Sequence, residues 1–466
     1  MIRPGLCLAL ACLGCVRYEP QPLDPALHAA ELRRRDLSDT ALLSAVAQHA
    51  GMPGQGRWTD RQLAVAALLL RSDLRRLRAE WRVARAAAVR TAGERPGVGV
   101  RGEVERRVSG NDEDGPWVVA VGAMLSVELG GKRGARLQAA RAEATLAETR
   151  LVGSAWSAAM GTRQAAAALA QAYAEVDDAR EEVAALEDVH RLERLRYGEA
   201  ALGASDLART ATEIQNARLA HAEAENGILQ ARAALAAAVA VPVRAVDAMK
   251  PTLTEPAVCA ALDATAADSI VSGALGRRHE VTRALGRYAV AESRLRLEVA
   301  RQYPDLELGP GFVWDQGVNR WTLALALPAL LGARNRGAIA EAVAAREVAG
   351  LEVAEAQDSV LADVESATQR CRGAALEVAG ADSVVAAAGR LLERDRAAYQ
   401  RGETTRLEPA RAELQLLRAR RAHRRAQRRL ALASLDLERA AGGPTAEAAG
   451  EWPDPRREPE EETRRP

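Results

Sequence analysis

The chain has 466 residues, and its 64 Lys and Arg against 63 Asp and Glu leave a net charge of only +1. Nothing in that balance marks it for nucleic acid or for a strongly acidic partner. Aromatic residues make up 3% of the chain while Ala, Leu, Glu and Arg abound, a mixture far from that of an average globular enzyme and close to that of long helices packed side by side.

In chain order, the first segment is MIRPGLCLALACLGCVRYEP, where a lone Arg3 precedes a short apolar stretch ending in small residues before Cys15. The stretch is too short to span a bilayer. It resembles a bacterial lipoprotein signal, with residues 1–14 removed and Cys15 carrying lipid; cleavage before Cys12 is a rival, and an ordinary secretory signal is the other reading. Residues 15–58 follow as an N-terminal segment opening with a proline-spaced tether, VRYEPQPLDP. Beyond it only Cys259 and Cys371 remain, so neither a disulfide framework nor a cysteine metal cluster is expected.

Two halves of one plan come next, residues 59–250 and 251–441, and each runs helix, hairpin, long helix, bend, helix. The opening helices are expected near Asp60–Gly93 and Ala264–Gln302. In them Asp73, Trp81 and Ala84 correspond to Glu280, Tyr288 and Ala291 at a constant offset of about 207. Apolar residues at Leu169, Tyr173, Val176, Val183 and Leu186 recur in steps of three, four and seven, the mark of an amphipathic helix. The long helices, near Arg133–Arg196 and Asn335–Ala398, have about 64 residues each, or roughly 95 Å at about 1.5 Å per residue. Shorter helices follow near Asp206–Val241 and Glu408–Ala440. Two short helices end to end would match one long one and build a uniform cylinder.

The hairpins alternate. Trp117, Val119, Val121, Ala123, Leu125 and Val127 share one face of their strand, as do Trp321, Leu323, Leu325 and Leu327. Leu306, Leu308 and Phe312 oppose Asp305 and Glu307, and Val98, Val100 and Val104 alternate more weakly. Strands of about ten residues suit a membrane-spanning barrel, and Trp117, Trp314 and Trp321 would stand at its interface level. Four strands cannot close, and an open edge in lipid leaves backbone groups unpaired, so the chain must oligomerise. Two copies give eight strands and a filled interior; three give twelve and a lumen.

This order of elements, after a lipoprotein-like start, resembles the TolC family of bacterial outer membrane efflux channels across essentially the whole mature chain. The family's bend carries an aromatic residue, a Gly three on and an acid nine on. Here Tyr399, Gly402 and Glu408 match, with Pro409 in the helix's first turn. In the first copy Tyr197 and Asp206 match, but Ala200 holds the Gly position. The entries to the long helices, Gly130–Arg133 and Arg334–Gly337, are similar to those of the heavy-metal subgroup. The resemblance implies a mainly α, TolC-like fold with a small β part. Three protomers would form a twelve-stranded barrel in the outer membrane and a helical tunnel in the periplasm. It also implies a periplasmic adaptor and a proton-driven inner-membrane pump of the RND type as partners, with metal ions or drugs as cargo. Tyr197, Asp206, Leu207, Tyr399, Gly402 and Glu408 would make adaptor contacts or gate the tips. Plain N-capping is the competing role for Asp206 and Glu408.

No chemistry competes with that reading. The six histidines are scattered, GGKRG lacks phosphate-loop spacing, and the carboxylates lie interleaved with arginines as on solvated helix faces. No cofactor, metal or nucleic acid is expected, and conduction is passive. A periplasmic or surface coiled-coil scaffold without a pore is the rival class. The tail, residues 442–466, is rich in Pro, Glu and Arg and reads as disordered.

Overall fold

A computed structural model describes residues 18–54, 57–94, 97–106, 117–253, 259, 264–315, 317–327, 335–443 and 453–456. The signal segment with Cys12 and Cys15 lies outside them. Helices α1 (Pro25–Arg34) and α2 (Thr40–Ala50) precede α3 (Asp60–Leu70) and α4 (Ser72–Gly93). Strands β1 (Val98–Arg106) and β2 (Trp117–Val127) follow, then α5 (Lys132–Gly198) and α6 (Ala204–Val239). The second half repeats this as α7 (Ala264–Arg277), α8 (His279–Ala300), β3 (Leu306–Asp315), β4 (Val318–Ala326), α9 (Arg336–Gln400) and α10 (Leu407–Ala441).

The long helices have 67 and 65 residues, so each runs about 100 Å at about 1.5 Å per residue. Towards the sheet, α5 packs between α4 and α8, and α8 in turn packs on α9. Away from the sheet, α5 packs between α6 and α10, and α10 packs on α9. The stacking of short helices end to end beside a long one is therefore as the sequence anticipates. No helix among the described residues is long and apolar enough to cross a membrane.

The apolar core gathers where the short helices meet, once in each repeat. Val46, Trp58, Leu63, Val65, Leu169, Leu235, Val239 and Val246 pack around the middle of α5. Val281, Val360, Val364, Ala367, Cys371 and Leu437 do the same around α9. A buried ion triad ties the two repeats together: Arg163 Nε donates to Asp60 Oδ2 at 2.7 Å and its Nη1 to Glu438 Oε2 at 2.6 Å. Each charge has its partner within hydrogen-bonding distance, which is what permits their burial.

Two details depart from the sequence reading, and two add to it. Each opening helix is broken by a single extended arginine, Arg71 (ψ 125°) or Arg278 (ψ 128°), 207 positions apart. Cys259 and Cys371, 112 residues apart, are disulfide-bonded in the second core; so wide a separation leaves no spacing signature, and only the fold brings the pair together. Beyond its tether, the segment before residue 59 carries two helices. Asp24 caps α1 by accepting from the Ala26 and Leu27 amides, and α2 buries Leu42, Ala45 and Val46 in the first core. In the tail, residues 453–456 lie on the helices: Arg78 Nε donates to the Pro455 carbonyl at 2.8 Å and Arg456 pairs with Glu148 at 3.1 Å. Composition flags a segment poor in apolar residues, but it cannot see a carbonyl that satisfies a distant arginine.

Candidate functional site: the sheet and the helical tips

The two hairpins join into one antiparallel sheet of order β1-β2-β3-β4. Val119 lies opposite Trp314, Val121 opposite Phe312 and Leu125 opposite Leu308; Phe312 in turn lies opposite Trp321, and Leu308 opposite Leu325. Paired residues in a sheet share a face. One face is therefore apolar across all four strands, from Val98, Val100 and Val104 through the alternate residues of β2 and β3 to Trp321, Leu323 and Leu325. It is also bare, with Val100 82%, Trp321 85% and Leu323 73% exposed. No described helix packs along it.

The opposite face is small and polar, and a shallow hollow on it touches Arg101, Glu103, Gly122, Gly311, Thr322 and Ala324. A Cβ on Gly311 would lie 2.7 Å from Thr322 Oγ1, and one on Gly122 would lie 3.3 Å from the Pro310 carbonyl. Glycine here lets the strands curl towards this side. Trp117 and Trp314 stand at the loop end, with the Arg106 guanidinium 5.4 Å from the Trp117 ring centroid. Trp321 lies three residues into β4 and meets Phe312 edge-on, centroids 5.3 Å apart. Outer edges of β1 and β4 pair with no described strand.

At the far ends of the long helices the two bends have one geometry. The Ala200 amide donates to the Tyr197 carbonyl at 3.0 Å and the Ala201 amide to the Arg196 carbonyl at 2.9 Å. The Gly402 amide donates to Tyr399 at 3.0 Å and the Glu403 amide to Ala398 at 3.0 Å. This is the Schellman closure of a helix C-terminus, which requires a left-handed residue. Gly402 supplies it at φ 74° and Ala200, despite its Cβ, at φ 55°. The departure at Ala200 thus leaves the turn unchanged in shape. The same exchange recurs at the next helix ends, with Ala240 at φ 65° and Gly442 at φ 74°.

Tyr197 and Tyr399 are about half exposed in the last turns. Asp206 and Glu408 lie inside the first turns of α6 and α10, and neither helix start has a side-chain cap. Their carboxylates instead face Arg209 and Arg411, each 3.6 Å away, where they also complement the helix dipole. Leu207 is half-buried. Leu407, which sequence reasoning did not single out, is the residue pinned between hairpins, in a cluster with Leu186, Val189, Leu192 and Ile214.

The charged faces of α5 and α10 are not merely solvated. Asp178 receives Arg424 Nε at 2.7 Å and Arg428 Nη2 at 3.0 Å; Glu182 receives Arg418 at 3.0 Å and also Arg421; Glu193 receives Arg411 at 2.8 Å. Asp178 and Glu193 are buried. The run RARRAHRRAQRR is thus one side of an ion-pair ladder holding the two hairpins together near the tips.

A second device, duplicated, sits at the helix breaks. Arg71 grips Asp73 through two bonds of 3.0 and 2.7 Å and donates Nη1 to the Ala238 carbonyl at 3.1 Å. Arg278 grips Glu280 through two bonds of 2.8 and 3.0 Å and donates Nη1 to the Ala440 carbonyl at 3.0 Å. Hydrogen bonds from Arg71 hold Asp73 below the usual carboxylate range. Burial opposes ionisation of Glu280, but the bonds from Arg278 outweigh it and its carboxyl too titrates lower than usual. The signal was present in the sequence as Arg-x-Asp and Arg-x-Glu at the repeat interval. Among the described residues no three His, Cys, Asp or Glu side chains converge to hold a metal.

Three solved structures share this architecture. CusC has 17% identity over 83% of this chain and 92% of its own, with a TM-score of 0.65. VceC from Vibrio cholerae has 20% identity, covering 89% and 96%, at 0.61. The CmeC outer membrane channel from Campylobacter jejuni has 15% identity, covering 97% and 94%, at 0.62. Likeness at such identities is one of fold, and the fold is the TolC-like one read from the sequence. No curated protein matches the sequence. The family profile described as outer membrane efflux protein matches residues 63–241 and 270–443, one stretch in each repeat and well over half of the chain, so the chain belongs to the outer membrane efflux protein family.

Proposed function

We propose that this chain is the outer membrane duct of a tripartite efflux system, conducting solutes passively from a periplasmic adaptor and an inner-membrane pump of the RND type to the exterior. Three copies would pair β4 of one with β1 of the next into a twelve-stranded barrel, with Trp117, Trp314 and Trp321 near its outer interface. The helices would form the periplasmic tunnel, and Cys15 the lipid anchor. Tyr197, Asp206, Leu207, Tyr399, Gly402 and Glu408 would meet the adaptor or gate the opening at the tips.

One observation carries this reading: a four-stranded sheet whose apolar face no described helix covers and whose two outer edges pair with no described strand. In water such a sheet is an aggregation hazard. In lipid the bare face is satisfied, and closure with other copies satisfies the edges. A coiled-coil scaffold would have no use for either property. The tunnel needs no energy-converting group, because direction comes from the pump. Purified protein inserted into planar bilayers is expected to give discrete conductance steps, enlarged when the tip contacts are loosened by Asp206→Ala and Glu408→Ala. No conductance in either form would count against the proposal.

A further inference from the structure

We infer that the Cys259–Cys371 bond is made by a protein oxidant that carries its own reactive disulfide, bonds to Cys259 first and passes the bond to Cys371 before the second core closes. The inference rests on the channel reading above only in placing the chain outside the reducing cytoplasm. Of the five cysteines, Cys7 and Cys12 lie in the segment read as a removed signal and Cys15 is the proposed lipid site. Cys259 and Cys371 are the pair left over. Their Cα atoms stand 5.4 Å apart, a spacing that a disulfide bridges without moving the backbone.

Burial limits when the bond can form. Cys371 is fully buried and Cys259 is 5% exposed. Their cover comes from four helices, through Ala274 of α7, Val281 of α8, Val364 of α9 and Leu437 of α10 among others. Thiol–disulfide exchange requires a thiolate to reach a sulfur of the other partner, and a protein oxidant has no way through that cover. Collapse of a chain of ~100 residues takes up to about 10–100 μs, whereas disulfide formation takes seconds to hours. Two thiols presented together would therefore be enclosed while still reduced. Reduced cysteines pack as small apolar groups, so nothing in such a core would force them out again.

The order of the chain removes this difficulty. Cys259 precedes Cys371 by 112 residues, and α9 and α10, which supply most of its cover, follow it in sequence. A chain threaded through a membrane from its N-terminus presents Cys259 before that cover exists. The Cys259 thiolate attacks the oxidant's disulfide, breaks its S–S bond and forms a mixed disulfide. When Cys371 arrives, its thiolate attacks the Cys259 sulfur, the Cys259–Cys371 bond forms and the oxidant leaves as a dithiol. Two electrons pass to the oxidant, and the two sulfhydryl protons end on its two thiols. The loop so closed carries α7, α8, β3, β4 and the first half of α9. Both strands of the second hairpin are thus tethered before they pair with another copy, and the oxidised chain is the form that assembles.

The test uses the full-length chain in bacterial cells with and without their extracytoplasmic thiol oxidase, pulse-labelled, quenched in acid and alkylated with a maleimide of added mass. With the oxidase, an oxidised monomer is expected to appear before the heat-resistant oligomer. Without it, both thiols should be alkylated after denaturation and the oligomer should fall several-fold. Cys259→Ser/Cys371→Ser should give the same amount of oligomer in both cells, which separates this bond from other effects of the oxidase. In Cys371→Ser the oxidant should be found bonded to Cys259, several-fold more often than to Cys371 in Cys259→Ser; no difference, or the reverse, overturns the order of attack. A bond that forms equally fast without the oxidase, or an oligomer that precedes the bond, overturns the inference and leaves the channel intact. A chain that oxidises in this order but never conducts overturns the channel reading instead.

Discussion

Ala200 holds a left-handed conformation at φ 55° in a turn whose copy in the second repeat uses Gly402 at φ 74°. A Cβ in that region costs roughly 1–2 kcal/mol, and glycine's greater freedom in the unfolded chain offsets about 0.4–1 kcal/mol of the gain from removing it. Ala200→Gly should therefore stabilise the first tip by about 0.5–1 kcal/mol, and because Ala200 is exposed its methyl group takes no packing away with it. Gly402→Ala should cost the second tip a similar amount, since nothing lies within 4 Å of the Cβ it would gain. The two hydrogen bonds that close each turn make amide exchange the direct assay. Protection of the Ala201 amide should rise about two- to fivefold in Ala200→Gly, and that of the Glu403 amide should fall likewise in Gly402→Ala, as local opening free energies shift by that amount. Unchanged or reduced protection at Ala201 would show that the first tip carries no backbone strain and that the reasoning is wrong.

Leu323→Arg places a charge on the bare apolar face, and should cost about 2–4 kcal/mol near the bilayer midplane; heat resistance of the oligomer on gels should drop, whereas Glu307→Gln on the other face should leave it unchanged. Removal of the Cys259–Cys371 bond by Cys371→Ser releases a 112-residue loop and should destabilise the second core by about 2–5 kcal/mol, read by denaturant titration. In the wild-type protein neither thiol should react with an alkylating agent before reduction. Asp73 and Glu280 are held below their usual values by their arginines, so the stability they lend is full at neutral pH. It starts to fall below the unfolded values of about 3.9 and 4.3 and is lost as pH drops through the lower folded ones. Melts at pH 5 and pH 3 should differ, and by less in Asp73→Asn/Glu280→Gln; an equal difference would place the acid sensitivity elsewhere.

Periodicity made the rods legible, because a helix of this length repeats its apolar step many times and proline marks its ends. Strand faces were equally legible: the strand residues that alternation assigns to the apolar side lie on one continuous surface once the register is known. What escaped was long-range. Arg71 and Arg278 break their helices to reach carbonyls of α6 and α10, and no local propensity announces a partner more than 150 residues away. The arginines of α10 read as solvated because sequence shows their charge and not the acids of α5 that face them. At the tips, plain N-capping, the competing role for Asp206 and Glu408, is not what the helix starts use; Leu407 was missed because one leucine in an apolar-rich turn looks like any other.

The central claim is that the bare sheet is one part of a closed, lipid-embedded barrel shared among three chains. Native mass spectrometry of the protein released from detergent micelles tests it most directly. The account predicts an assembly of three chains that holds together without cross-linking and falls out of solution when detergent is withdrawn. A single chain that remains dissolved without detergent would contradict it.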